Sequence, residues 1–130
     1  IIGHELSGQR SLINWFLAQE GNVSGFSRAI FSGLPTIEIA HIIEKYIIPY
    51  PNLTGLYHVS ADPIDKYSLL NLVAEIYNKN ITIQDDTSFK IDRSLDSSLF
   101  RTATGYEPPC WADLISAMFN FQQLSTTEQI

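Results

Sequence analysis

Histidine, cysteine and arginine are the residues of this sequence whose chemistry is most worth locating, and their spacing narrows what they can do. His4, His41 and His58 lie far apart, with no ligand partners at close spacing, and Cys110 is alone. A metal centre draws several such donors together and a disulfide needs two cysteines, so the sequence predicts neither. No G-x-S-x-G elbow, no P-loop and no G-x-G-x-x-G turn occurs. His58 falls inside a predicted strand, where a hydrogen-bonded core histidine is a better reading than a catalytic one. His41 sits within an isoleucine-rich helix and reads the same way. Arg28 stands in a loop ahead of that helix. An arginine-bearing loop, then a buried helix, then a strand suggests a ligand-facing edge of an α/β protein.

The elements that must hold such an edge follow from patterning. The stretch 28–36 reads as a loop, with Gly33 free in its dihedrals, Pro35 fixing φ and Thr36 capping the next helix. Ile39, Ile42, Ile43, Tyr46 and Ile47 then recur at helical spacing. Ile37 and Ile48 widen the stripe, which predicts burial on more than one side until Pro49 and Pro51 end the helix. Upstream, Ile1-Ile2 reads as the tail of a strand, 3–9 as a loop, and 11–19 as a helix that is apolar almost all round. Residues 22–26 read as a short strand, and 55–60 as the strongest strand candidate, bounded by Gly and by Ala61-Asp62-Pro63. Asp65 caps a helix with Leu69, Leu72, Val73 and Ile76 on one face, ended at 78–80. Residues 81–83 are a short β-type run and 85–88 a polar loop. Asp96 caps a short helix ending at Gly105. Pro108-Pro109 separates it from a last helix with Trp111, Leu114, Ile115 and Met118 on one side. Helices alternating with short strands predict an α/β or α+β fold.

Composition limits the partners. At 130 residues the chain can bury a real core. It is 45% hydrophobic and only 17% charged, which leaves little polar surface for a free monomer and hints at a large covered face. A net charge of −6 argues against nucleic acid, whose phosphates require clustered Lys and Arg. No apolar run is long enough to span a bilayer, and nothing at the start resembles a signal peptide. The N-x-S/T sequons at Asn22, Asn52 and Asn80 therefore read as chance, and the expected compartment is the cytoplasm. The opening Ile1-Ile2-Gly3 looks like a buried strand cut open, so the chain is read as a fragment.

Five segments carry a resemblance: Ile1-Ile2-Gly3-His4; Gly33-Leu34-Pro35-Thr36 through Ala40; Gly55 to Ser60; Tyr67-Ser68-Leu69-Leu70; and Asp92 to Ser97, with Thr104 to Pro108 and Trp111 behind it. In this order they resemble the C-terminal half of extended short-chain dehydrogenase/reductases, nearest to the dTDP-4-dehydrorhamnose reductases and related nucleotide-sugar enzymes. The resemblance implies the C-terminal portion of a Rossmann-type α/β fold, helix-rich with a few short strands. Residues 1–122 would be the substrate-binding portion and 123–130 a frayed tail. The intact enzyme would move a hydride between NAD(P)H and a 4-keto sugar in polysaccharide biosynthesis. The family's glycine-rich fingerprint and Tyr-x-x-x-Lys pair do not occur in these residues. This chain alone is therefore expected to be inactive, to bind no NAD(P), and to depend on a cofactor domain upstream. Arg93-Ser94 stands where the dehydrorhamnose reductases show Arg-Pro, which keeps an epimerase, a dehydratase or a non-catalytic ligand-binding protein as alternatives.

The resemblance also implies site residues. A nucleotide sugar presents a diphosphate, which guanidinium groups bind as a bidentate fork. Arg93 lies in the motif where the family often keeps such an arginine, and Arg28 is a second phosphate or sugar contact. Ser11 opens a helix whose free amides suit an anion. His4 follows a strand end, where ligands gather in open α/β sheets. None of the four is expected to be catalytic. Loss of cover from a cofactor domain further predicts that the fragment either self-associates, through 1–3, Trp15-Phe16 and 56–59, or survives only with the missing N-terminal half still bound.

Overall fold

A computed structural model describes residues 1–127 of the chain. Five strands and five helices alternate. The order is α1 (Leu12–Ala18), β1 (Asn22–Phe26), β2 (Ala29–Phe31), α2 (Thr36–Ile42), β3 (Ile64–Asp65), α3 (Lys66–Ile76), β4 (Thr82–Asp86), β5 (Ile91–Asp92), α4 (Ser98–Thr104) and α5 (Trp111–Thr127). β1 and β4 pair in parallel, and β2 lies between antiparallel β3 and parallel β5. Ile2 adds a parallel bridge to Pro35, its N–H donating to Leu34 O and its carbonyl accepting from Thr36 N–H.

The core forms where helical faces meet these short sheets. α3 packs on β1, β4 and α5, and Leu69, Val73, Leu114 and Ile115 are all but sealed from solvent together with Ile13 and Phe16. Burying a side chain of this size is worth about 1.5–3 kcal/mol. Close approach of α3 to β1 depends on Gly25, where a Cβ would lie 2.9 Å from the Tyr67 backbone. Asp65 caps α3 as the sequence predicts, its carboxylate accepting from Ser68 N–H at 2.8 Å. Gly105, at φ +73°, closes α4 in the left-handed geometry that glycine adopts without strain. α5 buries Trp111, Leu114, Ile115 and Met118 on one side.

Several expectations need correction. Residues 55–60 form no strand: the segment is extended, Leu56 is 82% exposed, and its junction with β2 is the bond from Ala61 N–H to Ser32 O. A strand is a property of a ladder as well as of a sequence, and the neighbouring edge is short. The predicted loop 28–36 instead contains β2, and the polar stretch 85–88 begins inside β4. Thr36 does not cap α2, since Pro35 occupies that position; the Thr36 hydroxyl donates to Ile2 O at 3.2 Å. Past Ile42 the helix widens into a π-helical turn, Ile43–Ile47, and the isoleucine stripe is only partly buried, with Ile39 and Tyr46 packed against the core. Ile42 is buried, but Ile43, Ile47 and Ile48 are exposed, Ile48 by 71%. His58 is exposed too and is no core residue. In α1, Phe16 is buried while Trp15 remains partly in solvent. Of the stretch 123–130, residues 123–127 continue α5 and 128–130 lie outside the described residues.

A candidate anion-binding site

The bend after β5 is unusually well anchored. Ile91 N–H donates to Arg28 O at 3.1 Å and Arg93 N–H to Ile30 O at 3.0 Å, which stitches the segment to β2 and the turn before it. Leu95 is held on both sides: its N–H donates to the buried Ser32 Oγ at 2.8 Å, and its carbonyl accepts from the buried Ser60 hydroxyl at 3.1 Å. Asp92 turns inward on its own chain, accepting from the amide and hydroxyl of Ser94 at 2.9 and 2.6 Å. Those two bonds hold its carboxyl below the usual carboxylate range. The Arg93 backbone is fixed while its side chain remains exposed.

That side chain borders a cavity of about 420 Å³. The walls are mostly apolar, with Ile2, Leu12, Ile30, Phe31 and Ile91 among them, and Lys66, at the head of α3, is a second cation on the rim. Phe89 adds a half-exposed ring, braced against Phe26 with centroids 5.4 Å apart at 62°. Gly33 belongs to the same wall, and the Phe31 ring lies where its Cβ would be. Among the described residues the one ion pair is Arg101–Asp62 at 3.1 Å, so neither Arg93 nor Lys66 is neutralised by a carboxylate. Two uncommitted cations over an apolar floor suit an anion that carries a hydrophobic body.

The four predicted site residues separate. Arg93 is at the cavity. Arg28 is exposed in the turn between β1 and β2, bound to the site through its carbonyl. Ser11 caps α1, accepting from Asn14 N–H at 3.4 Å and donating to Gly3 O at 3.3 Å. The amides ahead of α1 are already taken by the chain's own anion: Glu5 accepts from Arg10 N–H at 2.8 Å and Ser11 N–H at 3.0 Å. His4 contacts the Tyr77 hydroxyl through Nε2 at 2.7 Å. Burial lowers its pKa below 6.5, partly opposed by a bond to the Asn14 side chain, and burial raises that of Tyr77.

Sequence reading missed five residues that build or brace the site. Lys66 and Phe89 belong to no motif. The roles of Ser32 and Ser60 depend on contacts 63 and 35 residues away along the chain. Arg101 was also overlooked: it donates to Ser97 Oγ, Asp62 Oδ1 and Ser60 O, fastening α4 to the extended segment. The described residues contain no cluster of His, Cys, Asp and Glu suited to a metal ion. No described helix is long and apolar enough to cross a membrane.

No protein-family model and no curated protein matches the sequence. Solved structures do. dTDP-4-dehydrorhamnose reductase from Bacillus anthracis, in complex with NADP, is similar at a TM-score of 0.67 and 16% identity over 82% of this chain and 40% of that one. RMD from Pseudomonas aeruginosa, complexed with NADPH, is similar at 0.61 and 14% identity over 92% and 43%. At such identities the likeness establishes the fold, which is the expected mixed α/β arrangement of helices and short strands. The chain spans about two fifths of the length of either neighbour.

Proposed function

We propose that this chain is the substrate-binding portion of an NAD(P)-dependent reductase acting on a nucleotide-linked 4-keto sugar, most like a dTDP-4-dehydrorhamnose reductase. The observation that carries the reading is the rigidly mounted Arg93, uncommitted over an apolar cavity, within a fold shared with a reductase of that name. Arg93 binds the substrate's diphosphate and Arg28 approaches from the neighbouring turn. Ser11 and His4, engaged within the chain, shape the loop beside the cavity rather than contact the substrate. Ser32 and Ser60 position Arg93 by fixing Leu95.

This chain's own residues do not fit a dinucleotide cofactor. The glycine fingerprint does not occur, and Glu5 places a carboxylate at the head of α1, where a pyrophosphate would be repelled. Hydride transfer and the tyrosine proton donor therefore belong to a cofactor domain outside these residues, and the chain alone is inactive. That domain also covers the exposed apolar surface, whose alternative cover is a second copy. The setting is cytoplasmic polysaccharide biosynthesis.

Calorimetric titration of dTDP into the protein with its natural flanking sequence tests the Arg93 assignment. Arg93→Ala should weaken binding by roughly ten- to a hundredfold, as expected for a charge-assisted contact worth about 1.5–3 kcal/mol, and Arg93→Lys should restore part of it. Unchanged affinity in Arg93→Ala would overturn the assignment.

A further inference from the structure

Arg93 is mounted through Leu95, and that mount depends on a stretch of chain with no ladder of its own. Ser60 donates to Leu95 O from the extended segment 55–60, whose junction with the strands is the bond from Ala61 N–H to Ser32 O. Arg101 supplies a second hold. Its Nη2 donates to Ser60 O at 3.3 Å, its Nε to Ser97 Oγ at 2.8 Å and its Nη1 to Asp62 Oδ1 at 3.1 Å, so each nitrogen serves a different residue. The Ser97 hydroxyl passes the contact on, donating to Ser60 O at 3.5 Å. Ser60 and Ser97 are buried, whereas the Asp62 side chain is 69% exposed. An exposed ion pair contributes little, so the bonds to the buried serines carry the hold.

We infer that Arg101 is a positioning residue for Arg93: it fixes Ser60, Ser60 fixes Leu95, and the segment so held presents the Arg93 side chain to the cavity. The inference goes beyond the proposed function and rests on it for the role of Arg93. Arg101 is not among the residues that border the cavity, so its effect passes through the segment 93–95. The planar fork explains why this place takes an arginine. An ammonium is a single point, and it cannot meet acceptors on the extended segment and at the head of α4 with the same fixed geometry. Without the guanidinium, Ser60 O keeps only the long bond from Ser97, and the segment that carries Arg93 is free to shift. A charge-assisted contact made in a fork is sensitive to such a displacement.

A double-mutant cycle with Arg93→Ala, read by titration of dTDP into the protein with its natural flanking sequence, tests the path. Arg101→Ala and Arg101→Lys should each weaken dTDP roughly three- to tenfold while Arg93 is present, and less than about twofold once Arg93 is alanine, because residues acting on one contact are not additive. Asp62→Asn, which leaves the bonds to Ser60 and Ser97, should bind within about twofold of the parent. In turnover, the Arg101 variants should raise KM for a dTDP-linked 4-keto sugar and leave KM for NADPH as it is, a split that general loosening of the fold would not give. Melting curves identify the folded variants, and Arg101→Lys, which keeps the charge and most of the stem, carries the test should Arg101→Ala fail to fold. The positioning role falls, and the proposed function stands, if a folded Arg101 variant binds dTDP as the parent does, if its loss is as large without Arg93 as with it, or if Asp62→Asn loses as much. If Arg93→Ala itself leaves dTDP affinity unaltered, both fall.

Discussion

Arg93 and Ser11 show how far a single residue can be read before its contacts are known. Both were singled out for an anion; Arg93 borders a cavity, whereas the amides ahead of α1 are occupied by Glu5. A helix start was legible in the sequence, but not the carboxylate that fills it, because Glu5 reaches back from a loop of undetermined path. His4 gives a prediction at this scale. Its folded pKa lies below 6.5 because burial disfavours the charged imidazolium. The unfolded chain therefore takes up the proton first, and stability present above pH 6.5 is lost as pH falls through that value toward the folded pKa. His4→Gln should flatten this part of the melting-temperature profile between pH 7 and 5. An equally steep decline in the variant would show that other groups govern it.

At the scale of elements, helices were more legible than strands, although the reading of 22–26 matches β1 and that of 81–83 overlaps the start of β4. The α3 and α5 stripes, the Asp65 cap and the Gly105 stop all depend on residues within a turn or two of one another. β2 and β5 have only three and two residues, and their existence depends on partners distant in sequence. Residues 56–60 failed for the opposite reason, having strand-like residues but no ladder. The π-helical turn is likewise silent in the pattern, and Ile43 and Ile47 within it are exposed. Gly25 carries the prediction here, because α3 rests directly on it. Gly25→Val should lower stability by about 1–3 kcal/mol, since the Tyr67 backbone at 2.9 Å cannot yield as a side-chain tip would. Chemical denaturation measures it, and a loss below 0.5 kcal/mol, on the order of an ordinary surface change, would mean that α3 is less tightly seated.

For the whole molecule, the order of weak motifs indicated the fold, because shared order over most of a chain survives where identity has fallen to 16%. The motif serine at Ser60 now has a physical role in holding the arginine segment, which connects two of those motifs through one hydrogen bond. What no motif disclosed is the rest of the cavity's border, since Lys66 and Phe89 come to line it with Arg93 only after β2, β3 and β5 assemble. The central claim is that this chain supplies substrate binding to a reductase whose chemistry lies elsewhere. The most direct measurement is NADPH oxidation with a dTDP-linked 4-keto sugar, comparing residues 1–130 alone with the same residues joined to their natural upstream sequence. The account predicts substrate-dependent turnover only in the longer protein. Turnover by residues 1–130 alone, or none by the longer protein with any nucleotide-linked 4-keto sugar, would contradict it.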